Sequence, residues 1–126
     1  MSERETGAGV EGVAVREAES FYERWPGVMG EMKASAPGVA KGFGLMYREL
    51  MGDGVLSKRE KELIAIGIGM AIRCEPCVYA HVEQAVKLGV SREELVELGG
   101  VVVAMQGGPG YVHMPELLGA IGAQGL

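Results

Sequence analysis

The chain has 126 residues, is 48% hydrophobic and only 6% aromatic, and carries a net charge of −5 with a pI near 5.1. One domain with an aliphatic core fits these figures, and the acidic balance argues against a nucleic-acid partner held through phosphate contacts. No apolar run approaches the roughly 18 residues that span a bilayer; the longest, LIAIGIGMAI at 63–72, reads as a buried helix. Residues 1–9 are polar and expected to fray, and they lack the apolar stretch of a secretory signal. The expected location is therefore the cytoplasm. The absence of Asn and the three Gln fit a protein from a hot environment or a GC-rich genome.

In chain order, Val10, Val13, Ala14, Ala18, Phe21, Tyr22 and Trp25 recur at helical spacing, and Pro26 is expected to close that helix. A short helix over 28–35 follows. Pro37 suits the first turn of a helix to about Met51, with Val39, Phe43, Met46, Tyr47 and Leu50 as its buried face. Gly52–Gly54 is a turn. Ser57 with Glu60 forms one capping box, opening a helix to about Ile72, and Ser91 with Glu94 forms a second, opening Arg92–Gln106. Between them Glu75–Leu88 reads as a helix stopped by Gly89 as a left-handed cap. The last helix is expected over Tyr111–Ile121, after GGPG at 107–110. The β-branched run VVVAM (101–105) lies inside a capped helical pattern. The prediction is an all-α single domain over 1–126, a bundle of about six helices with no internal division.

Both cysteines and one of the two histidines fall within RCEPCVYAH, residues 73–81. If a helix starts at Cys74 or Glu75, Cys77 lies about 60° and His81 about 20° from Cys74 on the helical wheel. All three share a face, and Cys77 and His81 form an i,i+4 pair. The free N–H groups and positive dipole end of a helix start stabilise a thiolate, and an imidazole in reach can take or share the thiol proton. Pro76 stiffens the turn. The pattern gives an activated thiol with a second thiol in range. Two inert buried cysteines would show the same spacing. So would a zinc site of Cys74, Cys77 and His81, which would need a fourth ligand from Glu62, His113 or another subunit.

The segment LSKREKELIAIGIGMAIRCEPCVYAHVEQAVKLGVSREELVELGGVVVAMQGGPGYVH, about residues 56–113, resembles the core of the carboxymuconolactone decarboxylase superfamily. Within it, the segment is closest to the alkylhydroperoxidase D-like branch. That branch has a Glu, the first Cys of C-x-x-C twelve positions later, and a His four after the second Cys; Glu62, Cys74, Cys77 and His81 occupy those positions. The resemblance implies an all-helical subunit in a trimer or hexamer, of which a hexamer is favoured. It also implies thiol-dependent peroxide reduction through a Glu–Cys–His proton relay, with Cys77 meeting the peroxide and Cys74 resolving it. A small peroxide substrate and a dithiol reductant follow from it; a cofactor or resident metal does not. The branch's hydroperoxidases carry a His between the cysteines where this chain has Pro76. The decarboxylase branch, whose length this chain shares, uses a His without C-x-x-C. An acid–base enzyme using Glu62 and His81 on a small cyclic acid is therefore the alternative, with a non-enzymatic thiol or metal-binding module behind it.

Further positions read as structural. Tyr79 points about 160° from His81 and is expected to pack. The glycines of GIGM (67–70) are expected to permit close helix approach rather than bind phosphate. His113, beside Tyr111, is a candidate pocket residue. The helix over 10–25 and the tail MPELLGAIGAQGL are candidate subunit contacts, because a chain this apolar has surface to cover.

Overall fold

A computed structural model describes residues 3–126, with side chains from residue 12 onward. Seven helical segments follow one another: α1 (Glu3–Ser35), α2 (Pro37–Met51), α3 (Lys58–Ala71), α4 (Glu75–Lys87), α5 (Arg92–Gln106), α6 (Gly108–Val112) and α7 (Met114–Ala123). There is no strand among the described residues, so the chain is all-α. Of the stretch expected to fray, residues 1 and 2 lie outside the described ones, and the backbone is helical from Glu3.

Both capping boxes form with their full reciprocal bonds, Ser57 with Glu60 and Ser91 with Glu94. They are tied together: Arg59 donates to both carboxylate oxygens of Glu94 at 2.5 Å. That guanidinium, with the Ser91 N–H, holds the Glu94 carboxyl down to about 2. The starts of α3 and α5 thus share one bidentate contact.

Helix α4 lies at the centre, against α3, α7 and α1. Its Val78, Tyr79, Val82 and Ala85 are buried with Phe21 of α1, Ile66 and Met70 of α3, Leu95 of α5, and Leu117 and Ile121 of α7. Each large aliphatic side chain fully removed from water contributes roughly 1.5–3 kcal/mol. The packing role expected of Tyr79 holds, since it is buried beside Phe21 with ring centroids 4.9 Å apart.

Three expectations fail. Pro26 does not end α1, which runs through it to Ser35. A mid-helix proline costs about 3 kcal/mol, and aromatic contacts on its N-terminal side offset this. Phe21 stacks on Trp25 at 4.8 Å, and the Tyr22 hydroxyl donates to the Tyr79 carbonyl at 2.5 Å. Beyond the proline, Met29 and Met32 meet Ala40, Phe43 and Tyr47 of α2 along a shallow groove.

The second failure is α2, which buries nothing. Val39, Phe43, Met46 and Leu50, expected to face the core, are all more than half exposed, and Tyr47 is half-buried. Periodicity identified an apolar face correctly, but this chain alone does not cover it. The candidate subunit contacts, α1 and α7, pack on each other within the chain. The third failure is the C-terminal helix, which starts at Met114 rather than Tyr111, because His113 separates it from the single turn of α6.

The α1–α7 contact depends on a missing side chain. A Cβ on Gly119 would stand 2.4 Å from the Ala14 carbonyl oxygen, and backbone cannot step aside as a side chain can. Gly119→Ala should therefore lower stability by about 1–3 kcal/mol in urea unfolding. Gly100 is helical with nothing within 4 Å, so Gly100→Ala should instead gain about 0.5–1 kcal/mol. Equal effects at the two sites would contradict this packing.

Candidate active site

The site is built at the joint between α3 and α4. Helix α3 ends in a Schellman motif: the Cys74 N–H donates to the Gly69 carbonyl at 2.8 Å and the Arg73 N–H to the Met70 carbonyl at 3.2 Å. That motif needs a left-handed residue, and Arg73 supplies it with φ of 58°. The same closure recurs after α4 and after α7, through Gly89 and Gly125 at φ of 84° and 83°. Only the closure at the site uses a residue with a side chain, which costs roughly 1–2 kcal/mol. The sequence pattern gave no sign of it.

The joint delivers Cys74 as N-cap of α4. Its Sγ accepts from the Cys77 N–H at 3.3 Å, and Cys74 and Cys77 are joined by a disulfide with Cα atoms 5.2 Å apart. Both are half-buried. Gly69 makes the joint possible, since a Cβ there would lie 3.0 Å from the Cys77 Cβ. The close approach expected of the GIGM glycines is thus real at Gly69, while Gly67 has nothing within 4 Å.

One turn beyond Cys77, the His81 Nδ1–H donates to Glu62 Oε2 of α3 at 2.6 Å. Glu62 is 7% exposed and is the only buried charged residue among those described. A carboxylate in that position requires a partner, and His81, 19 residues away in sequence, supplies it. Because Nδ1 is engaged, the neutral ring keeps its lone pair on Nε2, the nitrogen available for proton exchange with a thiol or substrate. Tyr47 was expected only as a packing residue. Its hydroxyl lies 3.4 Å from the same Nδ1. Burial and the Glu62 charge push its phenol above the ordinary value. The signal for it was absent from the sequence because α2 reaches the site only through tertiary packing.

The structure therefore brings Glu62 and His81 together and bonds Cys74 to Cys77 on the helix that carries His81. His113 stands apart, pairing with Glu116 at 3.1 Å. No cluster of three or more His, Cys, Asp or Glu with metal-binding geometry occurs among the described residues. Of the two residues considered as a fourth zinc ligand, Glu62 meets His81 and His113 pairs with Glu116 instead.

The model of the carboxymuconolactone decarboxylase family matches residues 37–118. An apo crystal structure of a protein of that family from Legionella pneumophila superposes with a TM-score of 0.81 at 30% identity, covering 87% of this chain and 98% of that one. An uncharacterized protein of the cox locus of Paracoccus denitrificans is 28% identical over 93 residues, 74% of this chain and 84% of that protein. An uncharacterized protein of Cupriavidus necator is 30% identical over 89 residues, 71% of this chain and 79% of that protein.

The Glu62–His81 bond generates a direct test on the reduced protein. His81→Ala should slow iodoacetamide alkylation at pH 7 about tenfold, by removing the group that shares the thiol proton. Glu62→Gln should slow it less. The double variant should match His81→Ala alone, since both changes break one chain of proton transfers. Additive losses would mean that the two residues act separately.

Proposed function

The chain belongs to the carboxymuconolactone decarboxylase family, and from that premise we propose that it is a thiol-dependent peroxidase of the alkylhydroperoxidase D-like kind. The observation that carries this reading is the conjunction of the Cys74–Cys77 disulfide with a buried Glu62–His81 pair on the same helix and its neighbour. A dithiol at a helix start, beside an imidazole with a free Nε2, has the parts for two-electron chemistry on a small peroxide.

In the reduced enzyme His81 Nε2 takes the proton of Cys77. The thiolate attacks one peroxide oxygen, the S–O bond forms and the O–O bond breaks. The departing alkoxide takes the proton from His81 and leaves as an alcohol. Cys77 is then a sulfenic acid. The Cys74 thiol attacks its sulfur, the S–S bond forms, and water leaves with the hydroxyl and the remaining proton. The dithiol has lost two electrons and the peroxide has gained them. An external dithiol reductant restores the thiols by exchange. Throughout, Glu62 holds Nδ1 and stabilises the imidazolium that forms between the two proton transfers.

The Glu62–His81 pair would also serve an acid–base enzyme acting on a small cyclic acid. Turnover of peroxides separates the readings. Reduced wild type should consume cumene hydroperoxide with dihydrolipoamide as donor, and Cys74→Ser/Cys77→Ser should lose that turnover entirely. A double variant that still turns over a lactone would favour the acid–base enzyme, and stoichiometric metal in the purified protein would favour a binding module.

We also infer a homo-oligomer, trimeric or hexameric. Helix α2 presents Phe43 and Leu50 at 57% and 61% exposure, and Met105 of α5 reaches 83%. Exposed large apolar side chains in such number mark an interaction surface. No helix among the described residues is long and apolar enough to cross a membrane, and a thiol cycle of this kind fits the cytoplasm. Light scattering at micromolar concentration should give a multiple of the 13.3 kDa protomer; a 13.3 kDa particle would refute the assembly.

A further inference from the structure

Two side chains converge on one nitrogen. Glu62 Oε2 and the Tyr47 hydroxyl lie 2.6 Å and 3.4 Å from His81 Nδ1. They come from different helices, α3 and α2, and the imidazole they hold belongs to a third. The Tyr47 ring also lies along the imidazole, with centroids 6.1 Å apart and planes inclined by 31°. The tyrosine ring thus stands beside His81 on the side of Nδ1.

We propose that Tyr47 is a positioning residue of the thiol relay, holding the His81 ring so that Nδ1 stays on Glu62 and Nε2 is left for the cysteine. The inference rests on the peroxidase reading above and adds a residue to its machinery. A carboxylate alone fixes where one nitrogen points but leaves the ring free to rock about that bond. A second oxygen at the same nitrogen, carried on a ring that flanks the imidazole, removes that freedom.

The surroundings say why this restraint matters. A cavity of about 490 Å3 opens between α2, α3 and α4, lined by Tyr47, Arg48, Lys58, Glu62, Gln84 and Lys87 among others. Glu62 and Tyr47 form part of its wall and His81 does not. The tyrosine therefore stands between the imidazole and a basin rimmed by three cationic side chains. With that ring removed, water could compete with Glu62 for the imidazole N–H. Pro76, lying between the two cysteines, offers neither an N–H nor a polar side chain. The support for His81 has to come from another helix, and α2 provides it.

Two variants divide the roles: Tyr47→Phe keeps the ring and removes the hydroxyl, and Tyr47→Ala removes both. Nitrogen-15 NMR of the oxidised, uniformly labelled protein reports the tautomer of His81, with His113 identified through its own substitution. Wild type should show the hydrogen on Nδ1. Tyr47→Phe should show a measurable share of the other tautomer, and its reduced form should be alkylated by iodoacetamide about threefold more slowly at pH 7. Tyr47→Ala should lose about tenfold, comparable to a hydrogen bond and its shielding together. A purely structural role would shift the melting temperature and leave the tautomer untouched. Should Tyr47→Ala fail to fold, Tyr47→Phe decides.

Wild-type tautomer and alkylation rate in Tyr47→Phe, with His81→Ala slowed, would overturn the inference and leave the relay standing. An unchanged rate in His81→Ala would remove the relay, and the role of Tyr47 with it.

Discussion

A single buried hydrogen bond, from His81 Nδ1–H to the Glu62 carboxylate, constrains the rest of this fold. Glu62 is the only charged side chain buried among the described residues. An unpartnered carboxylate there would cost several kcal/mol. Helices α3 and α4 must therefore cross with those two positions facing each other. The crossing in turn sets Gly69 against Cys77, where there is no room for a Cβ, while Val78 and Val82 of the same helix are fully buried in the core. Packing and chemistry share one register, so the core could not be rebuilt without moving the site.

The joint between the helices is held as firmly. Three residues, Ile72 to Cys74, reverse the chain. Their backbone N–H groups are paired back to α3, and the side chain of Cys74 caps α4. The cysteines thus sit on backbone that is fixed from both sides. Arg73 in the left-handed region adds strain at this point and, among the described residues, nowhere else outside glycine. Such strain persists only where the surroundings over-determine the conformation, which is the condition met here.

Much of this was legible in the sequence, and the part that was not has a common cause. Both capping boxes, the Gly89 stop and the helical state of VVVAM depend on residues within a few positions of one another, and all four form. The meeting of Glu62 and His81 was expected from the resemblance, and in the structure they hydrogen-bond. What local pattern could not supply was the destination of each apolar face. The stripe on α1 meets α7, whereas that on α2 meets α1 and His81 only along one edge and stays largely exposed. Pro26 read as a terminator because the aromatic contacts that carry α1 across it come from residues up to 57 positions away. The place of Tyr47 beside His81, as opposed to its packing role, escaped notice for the same reason, and Arg73 because nothing in its identity announces a left-handed turn.

The short reversal between α3 and α4 also limits how the protein can vary over evolutionary time. Each residue added to a helix rotates everything beyond it by about 100° and advances it by about 1.5 Å. One inserted residue between Glu62 and Gly69 would turn the carboxylate away from the imidazole, and one between Cys77 and His81 would turn the imidazole away from the sulfur. One added at Ile72–Cys74 would dissolve the paired turn itself. The span from 62 to 81 can therefore accept substitutions but not insertions or deletions. Length differences among related chains should collect outside it, in the irregular stretch at 52–57 and near the ends of the chain, where added residues disturb no such register.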